Sequence, residues 1–419
     1  MNEQQRLEKN NRIKQKGKET RLRRLSQDCK VYELKLDKSH LSKAKQEFLH
    51  RLFLEAKWLY NYQLSNEIDV DYKLKEVDVL NKDKILEQRD LDTISAQIRQ
   101  TLVNRTKQNI FSLSKSKKKG NKIGGLKFKS YVNCIPLSQF GITYRIENNN
   151  KYIHIQGFKK HFKILGLDQI PEDAEFANAN LIRKLNDYYL KVTTFLPKQD
   201  KIQTGNYIGL DFGIKDNVVD SNRNKYNFSF PETRQLKKLS RKLNKCKRGS
   251  KNKAKLKFKL GLEYEKINNR KKDVKNKFVS KLINENDLIA IQDESIHQWK
   301  SSHFRGFGRK IHYSILGGIT SSLKHKPETL IIPRTFPSTQ LCPNCGSLNK
   351  HSLDERIYVC DCGYSEDRDI HSARNILNEG LRLISMEHRN PMLDESETSR
   401  FNVELNPSYN SLKQEAIVL

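Results

Sequence analysis

Apolar and polar residues alternate from Lys30 to Leu36 (KVYELKL), which predicts a half-buried strand. From Ser39 the spacing changes. Leu41, Leu49, Leu52, Phe53, Ala56, Leu59 and Tyr60 fall at mixed three- and four-residue intervals, the mark of an amphipathic helix. A second helix is predicted over about Asp92 to Leu113, then a basic turn at Ser114 to Lys119 and a break at Gly124-Gly125. From Phe128 to Leu196 short strand-like runs return, such as Tyr152 to Ile155 and Tyr188 to Phe195. Together these predict a small β-barrel over 29–200 with a helical insertion at about 39–120. Beyond a polar linker, Lys198 to Asn206, three apolar runs read as buried strands: YIGLDFG (207–213), DLIAIQDE (287–294) and TLII (329–332). Between the first two, Leu236, Leu239 and Leu243 predict one helix. Leu260, Tyr264, Ile267 and Val274 predict another, with Arg248-Gly249-Ser250 as the turn. A short helix is predicted from Ile370 to Leu383. Residues 1–28 read as a basic charged arm with little apolar periodicity, mobile when free and able to order on RNA, and 384–419 as a disordered tail.

Charge narrows the function. The chain has 419 residues, enough for two or three domains, and carries 79 Lys+Arg against 49 Asp+Glu, a net +30. Such an excess calls for an anionic partner, and nucleic acid is the first candidate. A lipid surface lacks the amphipathic basic helix with aromatic anchors that would support it. No apolar run is long enough to span a bilayer, and Met1 to Arg24 has no apolar segment of a secretory signal. The basic charge peaks in residues 232–277, with 19 Lys/Arg against 4 acids. Arg241, Lys245, Arg248, Arg270 and Lys271 are its candidate nucleic-acid contacts; the plainer alternative is a solvated basic face.

Three acids stand at or near strand ends. In 207–213, Asp211 shares a face with Gly209 and Gly213, which leave room beside it for a ligand or metal. In 288–294, Gln292 and Glu294 share a face while Asp293 points away. A third acid lies in Glu366-Asp367-Arg368-Asp369, before a helix. A carboxylate ending an apolar strand is costly unless solvated, paired or bound to metal. RNase H-type nucleases use three such carboxylates to hold two Mg²⁺ roughly 3.5 to 4 Å apart. Each acid also has a plain reading: a turn residue for Asp211, a solvated strand end for Glu294, a helix N-cap for Asp369.

Seven cysteines, an odd number, and no secretory signal point to a reducing compartment. Cys29, Cys134 and Cys246 are isolated. Cys342-Pro-Asn-Cys345 and Cys360-Asp-Cys362 form two close pairs, with Gly346 and Gly363 directly behind them. That is the pattern of a four-cysteine zinc ribbon holding one structural Zn²⁺, with a second knuckle tighter than usual; the plainer alternative is four unpaired thiols or two disulfides.

In order, YIGLDFGIKD, the basic hairpin with NNRKKD, LIAIQDESI, FPSTQLCPNCG and CDCGYSEDRDIHSARNI resemble the TnpB (OrfB) proteins of insertion sequences, relatives of the compact type V CRISPR effectors. The resemblance is specific over about 205–380 and looser over 29–200. It implies a multidomain α/β and β chain. A RuvC-like (RNase H-type) nuclease domain would occupy 205–336 and 367–383, include a basic helical hairpin at 232–284 and be interrupted by the zinc ribbon at 337–366. The N-terminal barrel would be a wedge-like domain with a helical recognition insertion. The implied activity is RNA-guided DNA cleavage: a guide RNA pairs with double-stranded target DNA beside a short flanking motif, and the phosphodiester is hydrolysed by a two-metal mechanism. Asp211, Glu294 and Asp369 would hold two Mg²⁺ (or Mn²⁺). Many relatives have an acid-acid-Leu triplet where this chain has Gln292-Asp293-Glu294. Glu294 keeps the face of Gln292 about 7 Å further along, and is assigned as the second acid. Many relatives have Asn in place of His371. Arg368 would stand near the scissile phosphate, or else pair with Glu366. A cytoplasmic protein of bacterial or archaeal type, nucleoid-associated when on DNA, is the matching location. Two alternatives are a nuclease-dead RNA-guided DNA-binding repressor and a DNA transposase acting without RNA.

Overall fold

The computed structural model describes residues 3–66, 70–81, 83–147, 151–185, 187–199, 201–300, 307–352 and 355–389. The chain divides into two units, Met1–Asp200 and Lys201–Leu419. Among the described residues no helix is long and apolar enough to cross a membrane.

The first unit opens with α1 (Glu3–Leu25), so the arm expected to be mobile when free of RNA is helical. Glu, Gln, Lys, Arg and Leu all favour helix, and an exposed helix needs no apolar face. β1 (Gln27–Leu36) follows, then α2 (Lys43–Ser65), the hairpin β2 (Glu76–Leu80) and β3 (Leu86–Asp90), and α3 (Ala96–Lys118). Ser95 caps α3, its Oγ accepting from Ile98 N at 3.3 Å. The helix runs on through the stretch read as a basic turn, because lysine propagates helix well and suits its C-terminal end. Six strands complete the unit: β4 (Cys134–Leu137), β5 (Tyr144–Glu147), β6 (Tyr152–Ile155), β7 (Phe162–Leu165), β8 (Glu175–Lys184) and β9 (Asp187–Pro197). They join β1 in an antiparallel sheet of order β4-β8-β9-β1-β7-β6-β5. Its core packs Leu34 and Leu36 of β1 and Leu190 and Val192 of β9 with Leu49, Leu52 and Leu59 of α2. Glu55 is fully buried. Its carboxylate accepts from Thr93 N (2.8 Å), Ile94 N (3.0 Å) and Arg51 Nε (2.6 Å), which fixes the approach to α3.

The second unit is built on a five-stranded sheet of order β12-β11-β10-β13-β14. β10 (Tyr207–Phe212) pairs antiparallel with β11 (Val218–Asp220), which pairs with β12 (Lys225–Tyr226). The hairpin α4 (Arg234–Asn244) and α5 (Lys251–Glu285) follows, turned at Gly249 (φ 83°) and capped by Ser250. Next come β13 (Leu288–Gln292), α6 (Ile296–Lys300), α7 (Phe307–Tyr313), α8 (Leu316–Leu323) and β14 (Thr329–Ile332). β10, β13 and β14 run parallel. Parallel strands are covered on both faces, which is why LIAI reads as an unbroken apolar run. Ile208, Leu210, Ile289 and Ile291 face α5 and α8. Leu288, Ala290, Leu330 and Ile332 face the last helix, α9 (Arg368–Arg389), reached through the hairpin β15 (Ile357–Val359) and β16 (Ser365–Asp367). α9 exceeds the expected 370–383 because Leu383 and Ile384 still pack on this core. Of the expected tail, 384–389 are therefore helical, and 390–419 lie outside the described residues. Buried Asp287 accepts from Thr204 N (2.8 Å) and Gly205 N (2.7 Å) and pins the polar linker to the head of β13.

Candidate active site and metal centre

Asp211 stands near the end of β10 on the face covered by α9. A Cβ on Gly209 would lie 2.1 Å from Ala373 O and 2.8 Å from Leu377 Cβ. The space that the sequence suggested for a ligand is therefore filled by helix backbone. A Cβ on Gly213 would meet Asp216 O at 2.6 Å, so that glycine serves a tight turn. This close approach brings Ser372 against the acid, its Oγ donating to Asp211 Oδ1 at 3.0 Å. Burial, above all, pushes the Asp211 carboxyl up to about 7; the charges of Asp369 and Glu294 add to the rise, while the Ser372 bond and Arg368 oppose it.

Asp369 lies in the first turn of α9. It is not the cap: Asp367 Oδ1 accepts from Asp369 N (3.1 Å) and Ile370 N (3.4 Å). The plain reading of Asp369 thus falls to its neighbour two residues back.

Glu294 lies beyond the end of β13, on a turn closed by its own N–H to Gln292 O (2.8 Å). Burial raises its carboxyl above the ordinary range; Arg334 and Lys324 pull it down and Asp293 pushes it up. Asp293 pairs with Lys324. Gln292 is 6% exposed. Its Nε2 donates to Phe336 O (2.7 Å), Arg334 O (3.2 Å) and Pro333 O (3.3 Å). Its Oε1 accepts from Ser338 Oγ at 2.9 Å, and Ser338 Oγ lies 3.1 Å from Ser372 Oγ. A polar chain therefore connects Gln292 through two serines to Asp211. Asp369 and Glu294 both lie close enough to Asp211 for their charges to act on it. Among the described residues, however, only Cys342, Cys345, Cys360 and Cys362 form a set of at least three metal-ligating side chains with ligand atoms mutually within 4.8 Å. Asp211 and Asp369 offer the hard oxygen donors of Mg²⁺ or Mn²⁺, and a divalent cation would offset their repulsion.

The four thiols sit on two turns. Cys342 Sγ–Cys362 Sγ and Cys345 Sγ–Cys360 Sγ are both 3.5 Å. A tetrahedral Zn²⁺ with bonds of about 2.3 Å wants sulfurs about 3.8 Å apart, so the set fits one zinc. Gly346 and Gly363 (φ 75° and 87°) close the knuckles, their N–H groups donating to Cys342 O and Cys360 O at 2.9 Å. The Ser347 hydroxyl, 3.3 Å from Cys360 Sγ, is the main cause that lowers that thiol to about 6. Cys29, Cys134 and Cys246 are not members of that set.

Behind the thiols, fully buried Tyr358 stacks on His371 with centroids 3.9 Å apart at 13°. Burial holds His371 down to about 4. Asn375 Nδ2 donates to Ser338 O (2.8 Å) and Leu341 O (2.7 Å). These contacts fasten the ribbon to α9 next to Asp369. Sequence reasoning flagged His371 only as a departure from the family, and missed Ser338, Ser372 and Asn375. Their single signal was polar character on a helix and loop that needed an apolar face.

The basic side chains divide. Arg241, Lys245 and Arg248 are exposed. Arg270 is exposed, with its guanidinium 5.9 Å from the Phe230 ring centroid. Lys271 is half-buried and donates to His312 O at 2.7 Å. Arg368 donates to Ser352 O (2.9 Å) and Glu355 O (3.2 Å). Glu366 pairs with Arg223 (3.2 Å) and Arg374 (3.0 Å), not with Arg368.

Residues 187–300 match the family described as "Probable transposase" (OrfB_IS605), and residues 321–376 match the Cas12f1-like TNB domain. A "Putative RNA-guided DNA endonuclease" of Streptomyces pristinaespiralis is 30% identical over 210 residues, covering 48% of this chain and 52% of that relative. The "TnpB-like protein L79" of Acanthamoeba polyphaga mimivirus is 26% identical over 217 residues, 46% of this chain and 41% of the viral one. The chain thus spans about half the length, or less, of the curated relatives it matches. Among solved structures, one titled "Cryo-EM structure of the Cas12f1-sgRNA-target DNA complex" aligns with a TM-score of 0.48 at 13% identity, over 85% of this chain and 99% of that one. The resemblance to the TnpB (OrfB) family is borne out, and both family matches lie mainly in the second unit.

Proposed function

We propose that the chain is an RNA-guided DNA endonuclease with a RuvC-type centre. The observation that carries this reading is that Asp211, on the central strand of a mixed sheet, lies within reach of the charge of Asp369, from the first turn of the helix locked over Gly209. Asp211 and Asp369 would hold Mg²⁺, with Glu294 near enough to add its charge but not as a ligand. The cation would supply an activated water and charge stabilisation for the leaving oxygen. Ser372 orients Asp211, and the ribbon fixes the start of α9. The exposed Arg241, Lys245 and Arg248 would border a guide–target duplex, held by its backbone and shape, with sequence read by base pairing.

A second reading is guided DNA binding without cutting, and Gln292 favours it, because a neutral side chain stands level with Asp211. One experiment tests the common core. The RNA that co-purifies with the protein is sequenced, its guide segment is rewritten, and bound and cut sites are mapped. Binding and cutting that follow the guide support the endonuclease, and binding alone supports the second reading. Activity that survives RNase treatment or ignores the guide defeats both and favours a stand-alone transposase.

A further inference from the structure

We infer that Gln292 replaces a cation ligand with a structural lock, leaving the acidic centre of the second unit a weak binder of divalent cations. The inference rests on the nuclease reading of that centre and asks which residue limits it.

The register supports it first. β10 and β13 pair in parallel as Tyr207↔Leu288, Ile208↔Ile289, Gly209↔Ala290 and Leu210↔Ile291. The next residues along are Asp211 and Gln292. Alternation puts both on the face that carries Gly209 and Ala290, the face covered by α9. Neighbouring strands lie about 4.8 Å apart, so a carboxylate at 292 would stand beside Asp211. Glu294 is not equivalent, since the strand has ended and its carboxylate sits among Asp293, Arg334 and Lys324.

The hydrogen bonds support it second. The Nε2 group of Gln292 cannot ligate a cation, and it faces the carbonyls of Pro333, Arg334 and Phe336. Its Oε1, the one atom that could ligate, is engaged by Ser338 Oγ at 2.9 Å. Three carbonyls around one amide nitrogen are a cage for a donor, and a carboxylate oxygen there would meet repulsion instead. The carboxamide therefore holds the segment leading into the ribbon without help from a metal. The same contacts give a glutamate at 292 a metal-dependent fold: unfavourable bare, favourable once a cation draws its oxygen toward Asp211.

The test uses the full chain, zinc-loaded and freed of nucleic acid, with Mn²⁺ as the probe. Binding is followed by Mn²⁺ electron paramagnetic resonance and melting temperature with and without Mn²⁺. Gln292→Glu is expected to bind Mn²⁺ about tenfold or more tighter than the parent, because added ligand charge raises affinity. Its melting temperature should rise on adding Mn²⁺ by more than that of the parent. Glu294→Gln is expected to change the parent's affinity less than about threefold, the effect of a remote charge. If Gln292→Glu leaves affinity unchanged or lowers it, or if Glu294→Gln lowers it tenfold, the inference is overturned and Glu294 is the second ligand. Where Gln292→Glu does not fold, Glu294→Gln decides alone by the same thresholds. Asp211→Asn in the parent separates the two levels. If it leaves Mn²⁺ binding untouched, the nuclease reading of the centre itself fails.

Discussion

The four thiols and the three acids both gather from segments far apart in the chain, and the fold treats them in opposite ways. The thiols stand on two glycine-closed turns whose backbone points them inward, so four ligands converge within 4.8 Å. The acids stand on a strand, on the turn after a strand and on a helix, elements whose direction is set by packing elsewhere. Asp369 comes within reach of Asp211 where Gly209 lets the helix touch the sheet, and among the described residues the three acids do not close into one set of ligand atoms within 4.8 Å. Ligand sets on dedicated turns are complete by their own geometry. Sets borrowed from packed elements depend on the register of each element.

The sharpest way to break this contrast is to remove a carboxylate. Asp211→Ala and Asp369→Ala should each lower DNA cutting by on the order of a thousandfold or more, since metal charge stabilisation contributes several kcal/mol to the barrier. Guided binding in filter assays should stay within a factor of two. Cutting that survives either change would remove the acids from the chemistry. The thiols come next. The intact chain should carry about one Zn²⁺ by elemental analysis, and a Cys342→Ser, Cys345→Ser double variant should carry none. Its second unit should melt about 10 °C lower, as structural zinc contributes directly to folding. Replacing Cys29, Cys134 or Cys246 with Ser should leave the zinc content unchanged.

A smaller effect probes the packing that joins the two acids. Gly209→Ala should destabilise the second unit by about 1–3 kcal/mol, because the added methyl overlaps Ala373 O. Gly317→Ala, with nothing within 4 Å of the added methyl, is the control and should be neutral or slightly stabilising. Equal melting of both variants would mean that helix and sheet adjust freely. Least in size, Arg241→Ala, Lys245→Ala or Arg248→Ala should each lower the log–log salt slope of nucleic-acid binding by about 0.9. Lys271→Ala should leave that slope unchanged and destabilise the fold by about 1 kcal/mol, since its ammonium already serves His312 O.

Much of this was open to a reader of the chain. The strand around Asp211, the paired cysteines and the helical hairpin follow from local period and spacing, which need no partner to be visible. What was hidden depends on partners. Nothing near Gln292 tells that its level across the sheet is Asp211, because register between distant parallel strands is set by the whole core. Gly209 was legible as a place without a side chain, yet a void for a ligand and a seat for a backbone look the same in one dimension. Asp367 and Asp369 are both acids in the first turn's reach, and only the helix start shows which one caps it. Lys271 and Arg248 are equals in composition and differ only in what lies within hydrogen-bonding distance. The helix over residues 3–25 was missed for the opposite reason: it has no buried face to leave a period.

The stack of Tyr358 on His371 has a mechanical consequence. A ring pressed flat against another at 3.9 Å resists sliding along the axis of α9, and Asn375 tethers the same helix one turn later to two carbonyls. The ribbon thus acts as a bearing block at the loaded end of a lever. A pull on the far end of the helix, toward Arg389, is therefore met at His371 and Asn375, both of which lie between that end and Asp369.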